Sequence, residues 1–317
     1  MSLSKFVVLA IAIMAIASIA MSGAVVQANV SASSATAPMP VSATFETGGV
    51  TIWFEVRGEE IGTPLVLVNG GPGFDHTYLT VSEAWDRLSR GRKIVFYDQR
   101  GNGRSSALKE GQACGLAEQI ADLEALREHL GFQKMDLLGH SWGGYLVMAY
   151  AARHPERIAH LLIIDSAAPK IQDTAFLFKN IYPETNARQD AVAFAVELGN
   201  VEAIAADLNE YMSMLFYSPE ARDRFQAHSS SFVYRQKVNK LVWNDLQRFD
   251  LNPELAKFHF PTLVITGRYD FNVAPSVAWA IHRAIPGSEF AVFEKSGHLP
   301  FYEEVDAFVS RVEAFLK

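Results

Sequence analysis

Apolar and polar positions along the chain follow two periods, one typical of strands and one typical of helices. Residues 41–46 and 50–56 alternate on either side of Gly48-Gly49, which predicts an antiparallel hairpin. Later apolar runs are short and continuous, as in strands buried on both faces of a parallel sheet. They occupy residues 64–68, 93–97, 135–138, 161–164, 262–266 and 289–293.

Helical patterns fill the intervals between these runs. Leucine and isoleucine repeat at helical spacing from Leu116 to Leu130, and Gly131 follows where a helix C-cap belongs. Further helices are predicted at 81–88, 145–153, 276–284 and 303–316. Strands that alternate with helices predict an α/β fold, with a mostly parallel central sheet and helices on both faces.

This alternation stops between residues 170 and 252. The stretch has no buried-strand signal, is rich in aromatic residues and predicts helices at 191–198, 201–216 and 232–246. We therefore predict a core formed by residues 41–169 and 253–317, with residues 170–252 as a helical cap inserted between strands 6 and 7. Ligands bind at the carboxyl ends of the strands in such sheets, so the cap should cover a binding site.

The first 40 residues have a different character. Lys5 precedes an apolar run from Phe6 to Met21 that is broken only by Ser18, and mostly small residues continue to Ala28. This pattern predicts a secretory signal peptide over residues 1–28. Residues 29–40 are rich in Ser, Ala and Pro, which predicts a linker. We expect an exported protein, periplasmic or secreted, with no membrane contact once processed; a retained N-terminal anchor is the alternative.

Composition narrows the functional classes. The 317 residues are 49% hydrophobic and 20% charged, as expected of a globular protein with a large core. A net charge of −7 without a basic stripe argues against a nucleic-acid partner. Cys114 is the single cysteine, and no cluster of His, Cys, Asp or Glu has metal-site spacing. We expect no metal and no cofactor, and the sequence leaves the oligomeric state open.

The clearest chemical signal is the stretch Gly-His-Ser-Trp-Gly at residues 139–143. It joins an apolar strand run to a helix, and this strand–turn–helix setting presents Ser141 as a nucleophile. A serine on so sharp a turn is strained, and glycines without Cβ atoms let the strand and the helix approach each other. The free N–H groups of the helix N-terminus point at the reacting oxygen.

Two loops supply partners for Ser141. Asp270 and His298 each follow an apolar strand run, so both lie at carboxyl ends of strands and can converge on the serine. We assign Ser141 as nucleophile, His298 as general base and then acid, and Asp270 as the group that orients the imidazole. Glu294 and Asp306 are the competitors for the acid position. An unshifted imidazole predicts activity that rises with pH through roughly 6.5–7.

Negative charge that develops on the substrate oxygen needs two backbone N–H donors. Trp142, directly after the nucleophile, supplies one. The other is expected in the glycine-rich turn that follows the apolar run at 64–68. Gly71 is the first choice there and Gly70 the alternative.

Five motifs, taken together, resemble a known family. They are Asn69-Gly-Gly-Pro-Gly, Asp98-Gln-Arg-Gly-x-Gly-Arg-Ser, Gly139-x-Ser-Trp-Gly-Gly, Gly267-Arg-Tyr-Asp270 and Gly297-His298. Over residues 42–169 and 255–317 the chain resembles the proline iminopeptidase branch of the α/β-hydrolases. The resemblance implies the α/β-hydrolase fold and a serine aminopeptidase that removes an N-terminal residue, often proline, from small peptides or amino-acid amides. It also implies that cap carboxylates hold the free amine, with Glu184, Glu197, Glu202, Asp207 and Glu210 as candidates.

The chain departs from that branch in three places. Asn69 replaces the histidine that usually opens the glycine-rich motif, and His140 stands where glycine precedes the nucleophile. The cap is shorter and has Trp243 as its only tryptophan. The same catalytic groups also serve esters, so a carboxylesterase or lactonase acting on small esters is one alternative. A non-catalytic binding protein with this fold is the other.

Overall fold

The computed structural model describes residues 40–59 and 61–317. The predicted signal peptide, and the predicted linker up to residue 39, lie outside the described residues. Within the described part of the chain, no helix combines the length and the apolar character needed to cross a membrane.

An eight-stranded sheet organises the described residues, in the order β1-β2-β4-β3-β5-β6-β7-β8. The strands are β1 Val41–Thr47, β2 Val50–Arg57, β3 Leu65–Val68, β4 Ile94–Tyr97, β5 Met135–His140, β6 Ile158–Ile164, β7 Thr262–Gly267 and β8 Glu289–Phe293. The pairs β1–β2 and β2–β4 are antiparallel, and the remaining neighbours are parallel. The predicted strands are all present with small shifts at their ends, and the predicted fold class is confirmed.

The helices follow the same alternation. They are α1 Thr77–Thr80, α2 Ala84–Leu88, α3 Leu116–His129, α4 Trp142–Arg153, α5 Phe178–Ile181, α6 Pro183–Glu197, α7 Val201–Ser213, α8 Pro219–Gln226, α9 Gln236–Leu246, α10 Asn252–Leu255, α11 Pro275–Ala284, α12 Pro300–Glu303 and α13 Val305–Phe315, with 3₁₀ turns at Pro155–Arg157, Ile171–Asp173 and Ser229–Ser231. Sequence periodicity places the start of α6 too late and misses α8. Both helices begin with proline at a first-turn position, where its fixed φ favours a helix without any apolar repeat.

The central strands bury both of their faces. Val66 and Val68 of β3 pack into an apolar layer with α3 and α4, while Leu65 and Leu67 pack into a second layer with α2 and α13. Two-sided burial explains why these strands read as continuous apolar runs. The polar loops that follow the strands are thereby gathered at the carboxyl edge of the sheet.

Helices α5 to α9 belong to the insertion between β6 and β7, here called the cap (residues 170–252). An isolated antiparallel bridge between Lys170 and Asp250 closes the base of the cap. A second bridge joins Phe74, in the loop after β3, to Tyr234 before α9. The chain thus leaves the sheet after β6 and returns to pair β7 directly with β6.

Candidate active site

Ser141 lies on the sharp turn between β5 and α4. Its backbone has φ 58° and ψ −120°, a strained conformation for a residue with a side chain. A Cβ atom at Gly139 would lie 2.2 Å from the Gly143 carbonyl oxygen, and one at Gly143 would lie 2.1 Å from that of Val68. Glycine is therefore required at both positions, because any side chain would push the helix away from the sheet.

His298 and Asp270 form a buried pair. The Nδ1 atom of His298 lies 2.7 Å from Oδ2 of Asp270. The other carboxylate oxygen accepts N–H groups from Asn272 and Val273, each at 2.9 Å. Three directional contacts thus fix the carboxylate against the imidazole.

The two competitors for the acid position lie elsewhere. Glu294 forms an ion pair with Arg268 on the surface. Asp306 pairs with Arg87 at 2.6 Å, and its side chain is 95% exposed. Neither carboxylate contacts His298, so the geometry favours Asp270.

Asn272 is a neighbour of His298 that the sequence did not reveal. Its side-chain nitrogen lies 3.1 Å from Nε2 of His298 and 3.0 Å from the hydroxyl of Tyr211. An amide nitrogen only donates, so Nε2 must be the accepting, unprotonated ring nitrogen. The proton then lies on Nδ1, facing Oδ2 of Asp270. This is the tautomer that a general base requires.

Ser141 and His298 line the same cavity. In the described residues no hydrogen bond joins the serine hydroxyl to His298, because Nε2 is held by Asn272. Catalytic contacts of this kind often tighten only when substrate binds. For Ser141 to act as the predicted nucleophile, Nε2 would have to exchange the Asn272 amide for the serine hydroxyl.

Burial shifts the pKa of both His298 and Asp270. It lowers the pKa of His298 to about 4, with a smaller opposing effect from Asp165. Burial also raises the pKa of Asp270 to about 8, opposed mainly by the Val273 N–H. The imidazole is consequently neutral near pH 7 and able to accept a proton.

A second carboxyl group, Asp165, lies behind the pair at the end of β6. It has a positive φ of 45° and is almost fully buried. One of its oxygens accepts the Gly267 N–H at 2.9 Å. Burial, followed by the charge of Asp270, raises the pKa of Asp165 well above its ordinary value. Its other oxygen, Oδ2, is buried and has no hydrogen-bond partner in the described residues. The raised pKa favours the neutral, protonated form of Asp165 beside Asp270.

The glycine-rich turn after β3 lies against Ser141. A Cβ atom at Gly70 would be 2.9 Å from the Cβ of Ser141. The Gly70 N–H donates to the Tyr78 hydroxyl at 2.5 Å, so it is already engaged. Gly71, with φ 125°, lines the cavity together with Ser141. Of the two glycines, Gly71 is the one whose amide makes no hydrogen bond within the described residues, which favours it as the predicted oxyanion donor.

A polar network supports this turn from the side of Trp142. The indole N–H donates to Oε1 of Gln99 at 2.8 Å, and Nε2 of Gln99 donates to the Asn69 carbonyl at 2.9 Å. Asn69 in turn donates from Nδ2 to the carbonyl of Phe74 at 2.9 Å. The Asp98–Ser105 motif and the glycine-rich motif are thus linked through one glutamine.

Two cavities meet at Ser141. The smaller, of about 30 Å³, is mainly apolar and extends under Met212, Leu215 and Phe225. The larger, of about 470 Å³, lies between the core and the cap. Both share Phe74 and Tyr211, which stand beside the nucleophile.

Only one of the five candidate cap carboxylates lines the larger cavity in the described structure. It is Asp207, whose Oδ1 accepts a hydrogen bond from Gln189 at 3.0 Å. Glu197 pairs with Lys240, and Glu210 pairs with Arg188. The remaining two, Glu184 and Glu202, are exposed. The sequence could not rank them, because the direction of a helix face depends on packing.

The cap is hydrogen-bonded to the loop that carries His298. Glu303 accepts the N–H groups of Tyr217 and Ser218 on one carboxylate oxygen, each at 2.9 Å. Its other oxygen accepts the Gly297 N–H at 2.6 Å. Burial raises the pKa of Glu303 to about 7, opposed by these N–H groups.

Two buried clusters bring metal-ligand atoms within 4.8 Å of each other. One contains His140, Asp165 and His298, and both ring nitrogens of His140 are already hydrogen-bonded within the protein. The other contains Asp75, His76 and Asp98, in which Asp98 accepts the ring nitrogen and the backbone N–H of His76. These donor sets are arranged for hydrogen bonding. The expectation of no metal and no cofactor stays a prediction.

Comparison with known proteins defines the class. The α/β hydrolase fold family matches residues 63–305, so the chain belongs to that family. The α/β-fold hydrolase from Bacillus anthracis superposes with a TM-score of 0.72 at 22% identity, over 88% of this chain and all of that one. A thermophilic esterase from Thermogutta terrifontis has a TM-score of 0.66 at 25% identity, over 88% of this chain and 98% of that one.

Proteins of similar sequence indicate the branch of this family to which the chain is related. The proline iminopeptidase of Lactiplantibacillus plantarum is 31% identical over 290 residues, which cover 84% of this chain and 97% of the relative. That of Saccharolobus solfataricus is 28% identical over 281 residues, covering 84% and 89%. The resemblance read from the motifs is confirmed: the chain is a serine hydrolase related to the proline iminopeptidases.

Proposed function

We propose that this protein is an exported serine aminopeptidase of the proline iminopeptidase type, acting on small peptides or amino-acid amides. One observation carries the proposal. The nucleophile Ser141 and a half-buried carboxylate, Asp207, line the same cavity of about 470 Å³. Such a cavity can hold a substrate by its free ammonium group while presenting its carbonyl to the serine.

The first half of the reaction forms an acyl-enzyme. Ser141 Oγ attacks the carbonyl carbon as His298 Nε2 takes the hydroxyl proton, and Asp270 stabilises the resulting imidazolium. The N–H groups of Gly71 and Trp142 stabilise the oxyanion. The intermediate collapses when His298 returns the proton to the leaving nitrogen, which breaks the carbon–nitrogen bond and releases the shortened peptide or amine.

Water completes the reaction. It attacks the ester carbonyl of the acyl-enzyme while His298 Nε2 accepts one of its protons. The same two N–H groups stabilise the second oxyanion. Collapse breaks the bond to Ser141 Oγ, and His298 protonates the serine. The products are the free amino acid and a regenerated enzyme.

Asp207 distinguishes a free amine from a blocked one. Partial burial raises the pKa of Asp207, opposed by the hydrogen bond from Gln189. A substrate ammonium would stabilise its ionised form, whereas a neutral acylated amine would leave the charge desolvated and unpaired. The aromatic rings of Phe74, Tyr211 and Tyr234 in this cavity suit proline or another small ring.

A three-substrate assay tests the proposal. The substrates are prolyl naphthylamide, its N-acetyl derivative and a nitrophenyl ester of a short fatty acid. Preference for the free-amine amide, with cleavage lost on acetylation, supports an aminopeptidase. Equal or better cleavage of the acetylated amide or the ester contradicts it and favours the esterase alternative, to which the small apolar cavity beside Ser141 is also suited.

Export is proposed on the sequence of residues 1–28 alone. The basic residue, the apolar run and the small residues before Asn29 form a signal-peptide pattern. Expression of the full chain followed by cell fractionation and N-terminal mass analysis tests this. A mature chain that begins at Asn29 outside the cytoplasm is expected, and a full-length cytoplasmic chain contradicts it.

A further inference from the structure

A single chain of hydrogen bonds joins the glycine-rich turn to the backbone of the catalytic histidine. The Gly70 N–H lies 2.5 Å from the hydroxyl of Tyr78, which lies 2.7 Å from Nδ1 of His140. Nε2 of His140 lies 2.8 Å from the carbonyl oxygen of His298. The side chains of Tyr78 and His140 are both buried.

The partners fix the direction of every bond in this chain. A carbonyl oxygen only accepts, so Nε2 of His140 must carry the ring proton that points at His298. The neutral ring then has an acceptor at Nδ1, to which the Tyr78 hydroxyl donates. The oxygen of that hydroxyl accepts the Gly70 N–H. While the ring of His140 stays neutral, none of these hydrogen bonds can run in the opposite direction.

The surroundings keep the ring neutral. Burial, and then the neighbouring His298, lower the pKa of His140 well below its ordinary value. The ring centroids of His140 and His298 are 4.7 Å apart, so two positive charges here would repel each other strongly. When His298 is protonated during the reaction, the chain therefore retains its direction.

We propose that Tyr78 and His140 are positioning residues, which hold the oxyanion turn and the backbone of His298 in one fixed relation. The inference rests on the proposed acyl-transfer reaction at Ser141. Tyr78 engages the Gly70 amide, which leaves the Gly71 amide for the substrate oxygen. His140 donates to the carbonyl of His298. The backbone N–H of His298 donates in turn to the Leu215 carbonyl at 2.7 Å.

His140 occupies a distinctive position in the sequence. It directly precedes the nucleophile, where the branch that the sequence resembles has glycine. A glycine there has no side chain to reach either Tyr78 or His298. In this chain His140 precedes Ser141 on the sharp turn and also links the glycine-rich turn, through Tyr78, to the backbone of His298.

Tyr78→Phe tests the proposal by removing one hydroxyl from the chain. Loss of an oxyanion donor itself costs roughly 10²- to 10³-fold in kcat, so loss of its support should cost less, about 10-fold. KM should change little. Affinity for a boronic acid analogue, which forms a tetrahedral adduct with the serine, should fall by the same factor as kcat/KM, whereas affinity for the carboxylate product should not change.

Tyr145→Phe is the matched control. Tyr145 is also fully buried and lies against Trp142, with ring centroids 6.0 Å apart, but its hydroxyl has no hydrogen-bond partner in the described structure. This variant should retain the parent's kcat and boronate affinity. Thermal unfolding of each variant reports on the fold. If Tyr78→Phe does not fold, His140→Asn breaks the link to the His298 carbonyl and should likewise lower kcat by about 10-fold.

The outcomes separate this inference from the proposed function. Parent-like kcat and boronate affinity in folded Tyr78→Phe, with Ser141→Ala inactive, overturn the positioning role and leave the proposed function intact. If Tyr78→Phe loses product affinity as much as boronate affinity, the positioning role is also overturned, because the variant then binds all ligands more weakly. Full activity in Ser141→Ala overturns both.

Discussion

Nδ1 of His298 lies 2.7 Å from Oδ2 of Asp270, and both side chains are buried at the carboxyl edge of the sheet. The two residues are 28 positions apart in the sequence and follow different strands. Their contact makes the imidazole a base with a defined tautomer.

Asp270→Asn should lower kcat by about 10⁴-fold, because the amide favours the wrong imidazole tautomer. The control is Asp306→Asn, which removes the exposed carboxylate that also competed for the acid position. It should retain parent activity. Steady-state kinetics on both variants give the two values of kcat. Near-parent turnover in Asp270→Asn would mean that a different carboxylate orients the imidazole.

The pH profile should reflect the buried imidazole. The protonated ring cannot accept the serine proton, so activity falls as the pH drops through the pKa of His298. Burial lowers that pKa to about 4. We therefore expect the acid limb of kcat/KM below pH 6.5, and not at the roughly 6.5–7 of an unshifted imidazole. A limb at or above 6.5 contradicts this effect of burial.

Asp165→Asn should be tolerated, because the amide is uncharged like a protonated carboxyl and its oxygen can still accept the Gly267 N–H. Asparagine also accepts the positive φ of this position. Asp165→Ala leaves the buried Gly267 N–H without its acceptor and should lower kcat/KM by roughly 10- to 100-fold. Kinetics of the pair test the assignment. Equal damage from both substitutions would mean that Asp165 acts as a charge.

Asp207→Asn should raise KM for free-amine substrates by roughly 10- to 100-fold, the worth of a charge-assisted hydrogen bond, with less effect on kcat. Glu202→Gln is the control, since that residue lies on the same helix but is exposed. Michaelis constants for prolyl naphthylamide provide the measurement. An unchanged KM in Asp207→Asn removes the proposed role in binding the amine.

Much of the core could be predicted from sequence. Continuous apolar runs identified the buried strands, because strands covered on both faces have little room for polar residues. The positions of Ser141, Asp270 and His298 after such strands followed from one rule, that loops at the carboxyl edge of a parallel sheet converge. The glycines around Ser141 could be read directly, since close backbone approach excludes other residues.

Other parts of the site depend on packing between distant segments. Asn272, Tyr78 and Asp165 are ordinary polar residues in the sequence, and only the folded chain brings them to His298, Gly70 and Asp270. Asp207 differs from the other cap acids only in the side of its helix that faces the cavity. Sequence periodicity places the start of α6 too late and misses α8, because their polar first turns carry no apolar repeat.

The nucleophile is tested most directly by intact-protein mass spectrometry after treatment with a fluorophosphonate, with Ser141→Ala as the comparison. The parent should gain one adduct, located on Ser141 by peptide mapping, and lose its activity. Ser141→Ala should fold normally, remain unlabelled and lose about 10⁶-fold in kcat. Labelling at another residue, or near-parent turnover by Ser141→Ala, would contradict catalysis by Ser141.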